Sequence, residues 1–359
     1  MTVTGPRVKD FTGDSSSFPI EFVSAPVFEL LMSLFVFSSM QDDSLGDFAV
    51  GREWYDGVRS QASPELIAAL DRLEGMGEIW IELAATTLRL PEPSTEHLLE
   101  HLTDSDPIDL RLQVVVAGCM HCKGAADLDV QRRAAAGDED AIEALDALSE
   151  CHLTSSMRQY LALDPAESVA LVADAVRRFA DELFHPDELA PILDRDAAHK
   201  RAMSKTMTAP QLVEAATNGI TFQPQPEVDT IVLIPSIVIR PWVAIGGMER
   251  TRFFCYPVAE QHLTADPDSP PAHLVDVYKA LGDEKRLRLM RILAEGAGSL
   301  AEITERVGLA KSTVHHHLSI LRQAGLVLIT LGSDKEYSLR RDSIPEAAEL
   351  LAGFLSTEE

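Results

Sequence analysis

The sequence predicts an α+β fold, mostly α, in two unequal parts. Three observations lead there. Apolar residues recur at helical spacing from Pro26 to about Gly219, and β-branched and aromatic residues cluster from Thr230 to Val258. A compact pattern of helices and then a hairpin follows a proline-broken linker.

Residues 1–17 mix Gly, Pro, Ser and charge without periodicity and are expected to be a disordered tail. Residues 18–263 form a helical N-terminal domain, with helices expected over 64–73, 78–90, 94–102, 165–184 and 209–217. In 165–184 the apolar stripe is explicit, with Val169, Val172, Val176, Phe179 and Leu183 at spacings of three and four. The apolar run 27–37 contains Glu29 and is shorter than the roughly 18 to 20 residues a bilayer demands, so it reads as a buried helix. The runs 230–247 and 252–258 predict a small antiparallel sheet of two or three strands that closes this domain. Proline cannot donate to a ladder, so Pro235 and Pro241 place those strands at edges or kinks. Residues 264–272 read as a linker, and 273–359 as a second domain.

With 359 residues, 46% apolar and 25% charged, the chain is neither collagen-like, fully disordered nor membrane-embedded. A net charge of −26 excludes a surface coated throughout with nucleic acid. Between residues 273 and 341, however, eleven Lys and Arg face eight Asp and Glu. Positive charge is gathered locally, as phosphate contact requires. Four cysteines are too few for a disulfide framework, and the polar N-terminus shows no secretory signal, so a reducing cytoplasm is expected.

LAEITERVGLAKSTVHHHLSILRQAGLV, residues 300–327, reads as a helix, a turn at Gly308, and a second helix closing at Gly325. At about 100° per residue, Val314, Leu318 and Leu321 of that second helix face inward. Ser312, His316, Ser319 and Gln323 point outward, flanked by Thr313, His315 and Arg322. Such a small, hydrogen-bonding face suits a major groove, and Lys311 beside the first-turn N–H groups would hold a phosphate. The runs 326–331 and 335–339 form a hairpin, a wing carrying Lys335 and Tyr337. The second domain is therefore a winged helix-turn-helix.

VYKALGDEKRLRLMRILAEG (277–296), AKSTVHHHLSILRQAGLV (310–327) and the hairpin together resemble the winged-helix domain of ArsR-type bacterial transcriptional regulators, over residues 271–356. The resemblance implies a sequence-specific DNA-binding regulator, expected to be a repressor, that acts as a homodimer on an inverted-repeat operator in double-stranded DNA. It implies DNA contacts by Lys311, Ser312, Thr313, His315, His316, Ser319 and Arg322, with Lys335 and Tyr337 from the wing. It also implies dimer contacts near 275–281 and 344–355. Metal-sensing members carry cysteines where this chain has 299–305 without one, or His and Asp on the final helix, where it has Pro345, Glu346, Ala347 and Glu349 without a histidine. No cofactor and no metal is expected at those sites. The larger part, 18–260, resembles a helical region preceding the winged helix in some actinobacterial-type regulators of this kind, which implies no chemistry.

Two other chemistries compete. Cys119 and Cys122 form a CxxC that, joined by Cys151 and His152, would make a metal- or redox-responsive regulator; the plainer reading is buried cysteines without a role. The HLLEH run, His97–His101, matches the HxxEH of a metallopeptidase class, with the ELFH run at Glu182 and His185 as a distant source of further ligands. Its plainer reading is an amphipathic helix capped by Ser94 that buries Leu98, Leu99 and Leu102. No GxSxG, Walker A loop or GxGxxG occurs, so no enzyme is expected. His315, His316 and His317 point three ways around a helix and do not suit one metal.

The N-terminal domain is larger than a dimerisation arm requires, so it is expected to receive a small-molecule effector between its helices or to dock a protein. Phe28, Met32, Phe35, Phe37, Trp54 and Trp80 would line such a pocket or fill the core.

Overall fold

The computed structural model describes residues 18–41, 48–74, 76–119, 127–147, 155–222, 228–248, 250–263, 270, 272–331, 335–341 and 343–355. A short strand, β1 (Ile20–Phe22), opens the described chain. Twelve helices follow among the described residues: α1 (Pro26–Gln41), α2 (Gly51–Gln61), α3 (Pro64–Arg72), α4 (Gly77–Thr87), α5 (Thr95–Asp104), α6 (Pro107–Cys119), α7 (Leu128–Ala135), α8 (Glu139–Asp146), α9 (Ser155–Ala162), α10 (Pro165–Leu183), α11 (Pro186–Met203) and α12 (Ala209–Ala216). The chain then runs through β2 (Ile220–Phe222), β3 (Thr230–Ser236), β4 (Ala244–Met248) and β5 (Thr251–Pro257).

α1 is apolar on every side and buried from Val27 to Ser39, as a helix at the centre of a core must be. The carboxyl of Glu29 is satisfied there, accepting the backbone N–H groups of Ile237 and Val238 at 2.8–3.1 Å. Burial raises the Glu29 pKa, against the lowering effect of these bonds and of Ser236. Trp80 of α4 donates to Ser38 at 3.0 Å and locks the two helices together. Phe28, Met32, Phe35, Phe37 and Trp80 all belong to this core, with Trp54 packed at its edge.

The sheet has the order β1-β3-β5-β4. The fold class holds, but the sheet is mixed, which corrects the antiparallel expectation: β1 pairs parallel with β3, β3 parallel with β5, and only β4 pairs antiparallel with β5. β4 takes the far edge as a hairpin with β5, so β5 returns alongside β3 in the same direction. Pro235 sits in the central strand at no cost to the ladder. Ile231 donates toward the β1 side, so the nitrogen of residue 235 faces that side too, beyond Phe22↔Leu233 where β1 ends.

Strand alternation gives the sheet two apolar faces. Val232, Ile234, Phe253 and Cys255 join the helical core around α1. Ile231, Leu233, Phe254 and Tyr256 pack instead on Leu212, Val213 and Ala216 of α12 and on Phe222 of β2.

The C-terminal part comprises α13 (Ala272–Leu281), α14 (Glu284–Glu295), β6 (Gly298–Ser299), α15 (Leu300–Val307), α16 (Lys311–Gln323), β7 (Val327–Leu331), β8 (Lys335–Leu339) and α17 (Ser343–Leu355), with its own core of Leu289, Leu293, Ile303, Val314, Leu318 and Leu321. Its sheet has the order β2-β7-β8-β6, so its outer strand comes from the N-terminal part of the chain. No described helix is long and apolar enough to cross a membrane.

Glu82 on α4 tests the packing of the helical core. Burial, reinforced by Glu78, raises its carboxyl from 4.5 to about 8. The folded chain therefore keeps a proton that the unfolded chain releases, and stability falls as pH rises between those two values. Glu82→Gln removes that loss. Its gain in Tm over the unchanged protein should be larger at pH 8 than at pH 5 in thermal denaturation followed by circular dichroism; an equal gain at both would show that Glu82 titrates alike in both states.

Candidate nucleic-acid interface

α15 and α16 are set by local chemistry. Ser299 and Glu302 form a reciprocal capping box at the start of α15, Glu302 accepting from the Ser299 N–H at 2.8 Å. These bonds hold the Glu302 carboxyl below its usual range. Gly308 ends α15 with φ of 71°, and Gly325 follows α16 with φ of 67°, left-handed positions that favour glycine.

The basic surplus is partly spent inside the protein. Arg286 caps the end of α13 through the carbonyls of Ala280 and Lys279 at 2.7 and 2.8 Å. Arg306 pairs with Glu295, Arg340 with Glu346, and Arg341 donates to the Ala294 carbonyl. Exposed cations on this part include Lys285, Arg288 and Arg291 on α14 and Lys311 at the start of α16.

α16 divides along its length. Lys311, Ser312, His315 and His316 are exposed and Thr313 is half-buried, so the first two turns present a small, polar, hydrogen-bonding face. Ser319 and Arg322, which the helical wheel places on that face, are buried. Arg322 retains 4% exposure. Its guanidinium donates to the Thr217 carbonyl at 3.4 Å and lies 6.0 Å from the Trp242 ring centroid. Burial draws its pKa down to about 10, against the raising influence of Tyr337. The expected outer face thus stops short of Arg322, because Thr217 and Trp242 of the N-terminal part cover it. Tyr337 is likewise corrected from wing contact to core, at 2% exposure. His317 faces inward as expected, and burial lowers its pKa. Lys335 begins β8, but its side chain and the wing tip lie outside the described residues.

A strand that the periodicity did not reveal joins the wing. β2 pairs parallel with β7 in the register Ile220↔Ile329, Thr221↔Thr330 and Phe222↔Leu331. Gly219 turns the chain into β2 with φ of 102°, and a Cβ there would stand 3.1 Å from the Val327 carbonyl oxygen. A side chain there would strain the backbone at that φ and crowd the carbonyl, so the position favours glycine. Thr217 fixes the turn, donating to the Val213 carbonyl and accepting from the Ile220 N–H.

The pattern described as "Bacterial regulatory protein, arsR family" matches residues 283–328, from the start of α14 into β7. An uncharacterised HTH-type transcriptional regulator of Bacillus subtilis (strain 168), YceK, is 37% identical over 84 residues, which covers 81% of its length and 23% of this chain. The chain belongs to the arsR family of bacterial regulatory proteins. The transcriptional repressor SdpR of the same organism is 33% identical over 82 residues, 91% of its length and 23% of this chain. Membership in the arsR family rests on the C-terminal region, where a helix-turn-helix of a DNA-binding transcriptional regulator stands.

The competing constellations fare differently. Cys122, Cys151 and His152 lie outside the described residues, as does the Cys119 side chain. His97 of α5 hydrogen-bonds to Ser94 and to the Glu92 carbonyl, both at 3.0 Å, and His101 to Ser105 at 3.3 Å. Both serve the ends of an amphipathic helix that buries Leu98 and Leu102 and is capped by Ser94. Among the described residues no group of three potential ligands converges as a metal site would require.

Arg322→Met preserves most of the buried volume and removes the charge. A buried charge with one long hydrogen bond adds little net stability. The variant should match or exceed the unchanged protein in urea-induced unfolding. A loss above about 3 kcal/mol, the cost of breaking a strong buried pair, would show that the cation holds the two parts together.

Proposed function

We propose that the chain is a repressor that binds an inverted-repeat operator as a homodimer, reading bases with the first two turns of α16. The observation that carries this reading is the exposure of Lys311, Ser312, His315 and His316, with Thr313 half-buried beside them, on the second helix of an arsR-family helix-turn-helix. Lys311 at the helix start meets a phosphate, Ser312, Thr313, His315 and His316 reach base edges, and Lys335 approaches the neighbouring backbone from the wing. Repression follows the naming of the relative SdpR, a transcriptional repressor.

Dimerisation is supported by exposed apolar side chains on the helices that open and close the C-terminal part: Tyr278 on α13 and Ile344, Phe354 and Leu355 on α17. Two-fold pairing there would set two copies of α16 into successive major grooves about 34 Å apart. The N-terminal part, joined to the wing through β2, is the module through which an effector acts on the dimer.

Fragments selected from the source genome supply the operator for a fluorescence-anisotropy titration. Lys311→Ala should weaken binding about equally across operator variants and reduce the salt slope by about one. His316→Ala should relax preference at one base pair per half-site, by about 1–3 kcal/mol. Affinity without sequence preference, or Lys311→Ala binding as tightly as the unchanged protein, would refute the assignment of this helix.

A further inference from the structure

A cavity of about 520 Å³ lies where the N-terminal sheet meets the winged helix. One side is formed by Lys200 of α11, Gln211 of α12, Asn218 and Arg240; Gln323 at the end of α16 and Arg340 after β8 form the other. That volume suits a small metabolite.

Lys200 is the feature that asks for an occupant. Its side chain is 7% exposed, yet among the described residues it makes no hydrogen bond or ion pair. The Tyr256 ring centroid lies 6.0 Å from the ammonium, and Asp196 acts on it electrostatically without an ion pair. Burial accordingly lowers the Lys200 pKa. Among the described residues the ammonium stands at the cavity with no hydrogen-bond acceptor on it, so an anion that enters gains a counter-ion and a charge-assisted hydrogen bond.

Among the described residues no carboxylate on the cavity wall pairs with Lys200. Glu260 pairs with Arg240, Glu214 accepts from the Thr221 hydroxyl at 3.0 Å, and Asp276 has an interaction of its own. Arg340 is held by Glu346. Beside Lys200 the wall carries the amide side chains of Gln211, Asn218 and Gln323, donors suited to oxygen atoms of an anion.

We propose that this cavity binds a small oxyanion-bearing metabolite, a carboxylate or a phosphate ester, with Lys200 as its counter-ion, and that the bound anion fastens the winged helix to the N-terminal sheet. The proposal rests on the reading that an effector acts through the N-terminal part. The ligand touches both sides of the junction, so its occupancy strengthens the β2–β7 pairing and the cover over Arg322.

The test uses the full chain without DNA, so it fails or succeeds separately from operator binding. Thermal unfolding is recorded in sodium phosphate, in sodium citrate and in sodium chloride at matched ionic strength and pH. Both oxyanions raise Tm of most proteins by exclusion from the surface, so the comparison with variants decides. The unchanged protein should show a saturating extra rise of about 2–4 °C in phosphate, in citrate or in both, and the arm that shows it identifies the phosphate or carboxylate source. That extra rise should vanish in Lys200→Gln. It should also vanish in Ala215→Trp, which fills the cavity without touching the charge and carries the test if Lys200→Gln folds poorly. No extra rise in either salt, or the same rise in the variants, overturns the proposal.

Discussion

Everything in this molecule turns on a strand borrowed across the chain. Ile220–Phe222 leaves the helical part and adds itself to the outer edge of the wing, parallel to β7. An exposed strand edge is a row of unpaired donors and acceptors, and pairing it internally both protects the edge and fixes the wing to the body that supplies the strand. Arg322 is sealed in by the same approach, its guanidinium against Thr217 and Trp242. The winged helix is therefore not free to tumble on its linker in this arrangement. Its orientation is set by the pairing of the three residues of β2 with β7.

That constraint explains the division of α16. A helix docked into a duplex through its first turns needs only those turns clear, and they are clear here, while the last turn packs on the body of the protein. The acidic excess of the chain reinforces this geometry. With a net charge of −26 overall and cations gathered on α14 and at Lys311, the field favours a duplex at one face and repels it elsewhere. Any change in the β2–β7 junction would tilt α16 relative to its partner copy in the proposed dimer. Two half-sites read at fixed spacing are sensitive to such a tilt, which gives the large helical part a physical route to control.

Much of this was legible in the residues. Helix α10 spans Pro165–Leu183 with Val169, Val172, Val176 and Phe179 buried along one stripe, and Ser94 caps α5 through the His97 N–H. Gly308 and Gly325 mark the ends of the two site helices. What stayed hidden is of one kind. Periodicity tells which side of an element is covered but not by what. The partners of Glu29 stand 208 and 209 positions away, and the residues that cover Arg322, Thr217 and Trp242, belong to the other part of the chain. The wheel for α16 placed Arg322 outside because it contains only α16. The parallel order of β1, β3 and β5 was hidden for the same reason, since alternation is identical in parallel and antiparallel strands. The strand Ile220–Phe222 was missed, and the signal that could have located it is Asn218-Gly219 before an alternating Ile220-Thr221-Phe222.

The junction itself is open to direct measurement by amide hydrogen exchange on the full chain. Peptides spanning residues 219–222 and 327–331 should be protected together, to a similar degree, and should lose that protection together in Gly219→Val, which strains the backbone at φ of 102° and crowds the Val327 carbonyl. Free exchange at 219–222 beside a well-protected β7 would mean that the wing stands alone and that nothing ties the recognition helix to the rest of the protein.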